Sequence, residues 1–238
     1  MKHFILINLL FFTSILAMNS EDKECLFVSL GSHCEPCSFL REFNLRKAGY
    51  PFDWIVSFNH REFVSILDEN FGHYLDELYF IRHPEYPVLI ENTYYKIEFR
   101  HDWPFQDSVL NLEREAEQIE GMRLKYDRKI TRFRNLNDYK GKVFFIRTAW
   151  DLSLDSNHFW NTGGIEKITY WQAAELKDAL KRFFPSLNFD LVIVNYAEEN
   201  TPPIEGIDGV IEFKIRKSNK CEDYRNMYNF LTYSSQNR

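Results

Sequence analysis

The apolar positions of this chain fall into short blocks whose spacing alternates between that of strands and that of helices. Leu26, Phe27 and Val28 form a compact run within Cys25–Leu30, which predicts a strand. A Gly-Ser turn then leads into a helix over about Glu35–Lys47. A turn at Gly49-Tyr50-Pro51 follows, and Phe52-Asp53-Trp54-Ile55 re-enters the core, with Trp54 buried and Asp53 bonded to backbone amides. Asn59 is placed to cap a helix over Arg61–Asn70, where Phe63, Ile66 and Leu67 recur at helical spacing. Phe80–Pro87 contains two prolines and reads as a loop. In Thr93–Arg100, Tyr95, Ile97 and Phe99 alternate with Lys96, Glu98 and Arg100, as in an edge or antiparallel strand.

The second half is more regular. A long polar helix is predicted from Asp107 or Ser108 to Arg134, broken near Gly121 and touching the core through Leu124, Ile130 and Phe133. Val143–Arg147 is nearly continuous in apolar residues, which predicts a strand covered on both faces. Trp150–Gly164 reads as a long loop. Thr169 then caps a helix over Trp171–Phe184, with Ala174, Leu176, Leu180 and Phe183 inward. Leu191–Val194 and Val210–Ile215 complete the strands. This order predicts a single α/β domain over residues 21–238, with three layers and a largely parallel sheet flanked by helices.

Sheets of that kind gather ligands at the carboxyl ends of their strands. Those ends carry Ser32-His33-Cys34, His101-Asp102, Arg147-Thr148 with Asp151, and Asn195 with Glu198. Cys34 opens a helix, where backbone amides and the helix dipole favour a thiolate; the competing reading is an inert cysteine that caps a packed helix. Paired with His101, Cys34 has the chemistry of a nucleophile whose proton an imidazole takes and later returns to a leaving group. Asp102, Asn195 and Asp151 are candidates to orient the ring, and Ser32, Arg147 and Asp151 to contact substrate. Arg147 equally suits a structural pairing with Asp102 or Asp151. Cys34-Glu35-Pro36-Cys37 is also a C-x-x-C motif, suited to thiol–disulfide exchange. A third reading is a non-enzymatic module that binds glycan or protein through the Trp150–Gly164 loop.

Composition narrows these readings. The net charge of −6 and the absence of a basic run argue against nucleic acid as the main partner, and Lys125–Arg134 reads as the charged side of a helix. No phosphate-binding loop, dinucleotide fingerprint or G-x-S-x-G elbow is present, and no second C-x-x-C or histidine pair completes a zinc site. No cofactor is implied. Residues 1–20 have a basic start, an apolar stretch from Phe4 to Ala17 too short for a membrane span, and a polar exit. They read as a secretory signal, giving a secreted or extracytoplasmic protein, or a membrane-anchored one if the segment is retained. In an oxidising compartment the four cysteines permit two disulfides in three connectivities, and a Cys25–Cys221 bridge would fasten the domain's ends.

The runs SLGSHCEPCSFLREFNLRKAGYPFDWI, IEFRHDW, KYDRKITRFRNL and VFFIR resemble a bacterial family of unknown function described as papain-like cysteine peptidases. The resemblance covers nearly all of residues 21–238, and its most specific part is the SLG-S-x-C opening joined to PFDW. It implies a thiol-dependent hydrolase or acyltransferase acting on a peptide or acyl-type substrate, with Cys34 as nucleophile and His101 as base. It also implies a papain-like α+β fold as the alternative to the layered α/β order read from the strands. Cys37 departs from that pattern, because a cysteine hydrolase has no need of a second thiol there.

Overall fold

The apolar blocks pair into two four-stranded sheets, one parallel and one antiparallel. The structure is a computed structural model that describes residues 25–57, 59–81, 89–102, 112–149, 167–196 and 204–236. The parallel sheet has the order β1 (Leu26–Ser29), β6 (Val143–Thr148), β7 (Phe189–Tyr196), β8 (Val210–Ile215). The antiparallel sheet has the order β2 (Val56–Ser57), β5 (Ile97–Glu98), β4 (Leu89–Asn92), β3 (Leu78–Ile81). Among the described residues five α-helices accompany them: α1 (Glu35–Glu42), α2 (His60–Asp68), α3 (Leu112–Arg134), α4 (Tyr170–Phe183) and α5 (Lys220–Gln236).

Strands β6 and β7 are apolar on both sides because each face of the parallel sheet is covered. On one face Phe27, Phe144, Ile146, Val192 and Val194 pack with Leu40 of α1 and Tyr224, Met227, Tyr228 and Leu231 of α5. On the other, Val28, Phe145, Leu191 and Ile193 join the buried sides of α2, α3 and α4 and the antiparallel strands. The rings interlock there, with Phe133 meeting Phe52, Phe71, Phe145 and Phe184 at centroid separations of 5.0–5.9 Å.

Several elements differ from the pattern-based expectation. Thr93–Lys96 is a turn between β4 and β5: the Asn92 side chain accepts from Tyr95 N at 2.7 Å, and Lys96 has φ of 51°. Tyr95, Ile97 and Phe99 are buried as their alternation implies, but Glu98 between them is buried as well and a turn interrupts the run. Phe80 and Ile81 belong to β3 and not to a loop, and the rest of Phe80–Pro87 lies outside the described residues. Helix α1 stops at Glu42, where Asn44 turns left-handed at φ 58°. Helix α3 runs unbroken through Gly121, which has open space around it. Its buried line is Met122, Tyr126, Ile130 and Phe133, while Leu124 is 53% exposed. Trp54 is only half-buried. The segments expected to be a secretory signal and the Trp150–Gly164 loop, with Asp151, Glu198 and the predicted start of α3, lie outside the described residues.

Candidate active site

The turn between β1 and α1 is held by a series of bonds to its carbonyls. Arg147 Nη1 donates to Leu30 O at 2.8 Å, Thr148 Oγ1 to Gly31 O at 3.3 Å, and Ser57 N to Ser32 O at 3.1 Å. Gly31 has φ of +71°, and a Cβ there would stand 2.8 Å from Phe52 O, so glycine is required on both counts. Ser32 follows with φ of 86° and is buried. These constraints deliver Cys34 to the N-cap of α1, half-buried, at the carboxyl edge of the parallel sheet.

Cys34 is not poised as a thiolate. Burial pushes its thiol above the ordinary range, and Glu35 adds to this; its own backbone amide and Arg100 oppose the rise without cancelling it. The expected depression at a helix start therefore gives way to desolvation. The helix is capped instead by His33, whose Nδ1 accepts from Glu35 N at 3.1 Å. An acceptor at Nδ1 places the proton of a neutral ring on Nε2, which faces Tyr196 Oη at 3.4 Å. Tyr196 in turn donates to Glu35, whose other carboxylate oxygen receives Lys220 Nζ at 2.8 Å. His33 is thus a positioned cap, with both ring nitrogens engaged.

All four cysteines are free thiols. Cys37 is fully buried, between Arg46 and Asp53, and its thiol is pushed up to about 12, chiefly by burial. That environment favours a packing role over disulfide exchange. Cys221, for which a bridge to Cys25 was considered, faces Glu42 Oε1 at 3.5 Å instead.

His101 is exposed and packs edge-on against Trp54, with ring centroids 5.3 Å apart. Desolvation beside the indole holds its imidazole below the ordinary range; Asp102 opposes that shift, while Arg100 and Lys125 reinforce it. Among the described residues no hydrogen bond joins His101 to Cys34, but Arg100 acts electrostatically on both. Arg100 is itself held by Glu98 at 2.7 Å. Trp54 also carries Arg41, whose guanidinium carbon lies 5.5 Å from the ring centre. Arg41 follows Cys34 by seven residues, two helical turns along the same face of α1. Trp54 thus contacts both His101 and Arg41, and Arg100 acts electrostatically on both Cys34 and His101. Of these, Arg41, Trp54 and Arg100 were not singled out as site residues, although the seven-residue spacing was a legible signal for Arg41.

The other candidate residues are committed elsewhere. Asp102 accepts from Tyr126 Oη at 2.7 Å and from Lys125, and so anchors its loop to α3 with its carboxylate turned away from an orienting role. Asn195 bonds both the N–H and the carbonyl of Ile168, at 2.8 and 3.1 Å, and fixes the approach to α4. Arg147 is 3% exposed, bonded to Leu30 and Ser57 and packed 4.1 Å over Phe63, so it supports the Cys34 turn from beneath. Burial lowers its pKa to about 9. Among the described residues, no group of three or more His, Cys, Asp or Glu side chains could hold a metal ion. No helix among those residues is long and apolar enough to cross a membrane.

Comparison with known proteins identifies the wider group. A family described as "Putative papain-like cysteine peptidase", a domain of unknown function, matches residues 25–199. An uncharacterized protein of Acanthamoeba polyphaga mimivirus is 30% identical over 143 residues, covering 52% of this chain and 62% of the viral protein. The chain thus spans about three-fifths of that relative's length. No solved structure matches.

Proposed function

The chain belongs to that papain-like cysteine peptidase family, and from this premise we propose that it is a thiol-dependent hydrolase with Cys34 as nucleophile and His101 as general base. The observation that carries the reading is the placement of Cys34. It is a half-buried thiol at a helix start on the sheet's carboxyl edge, within the electrostatic reach of Arg100, the residue before His101.

The electrostatics favour a particular order of events. A thiol held above its ordinary pKa and an imidazole held below its own rest as the neutral pair, not as a thiolate–imidazolium ion pair. Sulfur attack on an acyl carbon then requires transfer of the thiol proton to the ring, forming the C–S bond while the carbonyl oxygen takes on charge. The donor proposed for that oxyanion is the Cys34 backbone amide, since Glu35 N already donates to His33 and Pro36 has no N–H. The protonated ring next donates to the leaving group as the acyl–leaving-group bond breaks, and water hydrolyses the resulting thioester. Trp54 fixes the ring's placement through their packing.

The reading is tested with a peptide bearing an acyloxymethyl ketone, a thiol-trapping electrophile. One covalent adduct on Cys34, lost in Cys34→Ser and slowed in His101→Ala, is the expected result. Equal labelling of Cys221, or an adduct rate indifferent to His101, would overturn it.

A further inference from the structure

Arg41 has no carboxylate partner among the described residues, whereas four cations of the surrounding elements do. Arg46 is paired with Asp53, Arg100 with Glu98, Lys125 with Asp102, and Lys220 with Glu35. Arg41 is exposed and packs over Trp54 instead, and Trp54 also touches His101. A guanidinium uses its face against an aromatic ring and keeps its in-plane N–H donors for a planar anion. The indole therefore holds a carboxylate-binding fork beside His101, on the helix that Cys34 opens.

We propose that Arg41 is the specificity residue of this site and takes a carboxylate of the substrate. The proposal rests on the reading of Cys34 as nucleophile. Seven residues of helix place the two positions about 10 Å apart along α1. An extended peptide rises about 3.3 Å per residue, so the carboxylate lies about three residues from the attacked carbonyl. The substrate class is a peptide carrying either an acidic side chain at that distance or its own terminal carboxylate there.

The test is fluorescence anisotropy with labelled peptides on Cys34→Ala, which binds without turnover. Three peptides are compared: one with aspartate three residues from the central bond and blocked ends, its asparagine counterpart, and one with a free C-terminus at that distance. Preference for a charged peptide over the asparagine one by about tenfold is expected, the range of a charge-assisted hydrogen bond. Whichever charged peptide is preferred identifies the source of the carboxylate. Adding Arg41→Gln removes the preference, and Arg41→Lys restores only part of it because the bidentate fork is gone. No preference for either charged peptide, or one that survives Arg41→Gln, would overturn the proposal. Turnover by the wild-type chain separates the two readings. Discrimination without hydrolysis by wild type removes the nucleophile and keeps the anion site. Hydrolysis at equal kcat/KM for charged and neutral peptides removes the anion site and keeps the nucleophile.

Discussion

Cys34 shows how a position can suggest one electrostatic state while its surroundings impose another. A helix start lowers a thiol's pKa only where solvent or cations also stabilise the anion; at Cys34 burial outweighs the amide and Arg100. Alkylation of Cys34 in a His101→Ala background, where no ring assists, is therefore expected to have a midpoint above the ordinary thiol value of about 8.5. Arg100→Gln moves that midpoint higher still. A midpoint near 7 would show that the thiolate is preformed. In the same experiment Cys37 stays unmodified in the folded protein, because its thiol is fully buried. The sequence made Cys34, His101 and Cys37 visible by residue type and place, yet nothing in it reports desolvation. For the same reason the commitments of Asp102 to Tyr126 and of Asn195 to Ile168 were hidden, since both partners are distant in sequence.

At the level of elements, apolar spacing marked the four strands of the parallel sheet and most of α2, α3 and α4. The failures have local causes. The Asn92 turn divides an alternating run, and the alternation alone does not reveal that the chain has reversed. Gly121 does not interrupt α3, because a long helix with buried Tyr126, Ile130 and Phe133 absorbs the roughly 1 kcal/mol that one glycine costs. Helix α5 was legible in principle, since Tyr224, Met227, Tyr228 and Leu231 recur at helical spacing, but it was not read. The β1–α1 turn carries the sharpest prediction at this scale. Gly31→Ala combines a positive φ with a 2.8 Å approach to Phe52 O. It is expected to cost on the order of 1–2 kcal/mol or more in urea unfolding and to slow labelling of Cys34. Unchanged stability would show that the turn has another conformation.

The whole molecule depends on buried charges that join its two sheets. Arg147 links the end of β1 to β2 through Leu30 O and Ser57. Arg147→Met leaves those acceptors buried without donors and is expected to lower stability by on the order of 2 kcal/mol or more. A change within about 0.5 kcal/mol would place the link elsewhere. Lys129 is the opposite case: its ammonium is buried without a hydrogen-bond partner among the described residues, 4.2 Å over the Tyr126 ring. Its pKa is lowered to about 8, mainly by burial and secondarily by Lys125. Below pH 8 both folded and unfolded chains carry this proton, and the folded state bears the full desolvation penalty. Between pH 8 and the unfolded value of about 10.4 the folded chain sheds it first, so this group's contribution to stability rises with pH. Lys129→Met is accordingly expected to stabilise the protein at pH 7, by on the order of 1–3 kcal/mol, and to lose that advantage by pH 10. Urea midpoints at the two pH values check both parts, and a destabilised variant at pH 7 would show that attraction to Asp53 and Asp102 outweighs burial.

The most direct test of the hydrolase reading is the rate of Cys34 labelling by a peptide acyloxymethyl ketone, measured from pH 5 to 9 by intact mass in wild type and His101→Ala. The account predicts that wild-type labelling rises through a midpoint below the ordinary imidazole value of about 6.5, as the ring becomes available as a base. In His101→Ala that midpoint disappears, and labelling follows only the high pKa of the thiol. Identical pH profiles for the two proteins would contradict the pairing of Cys34 with His101.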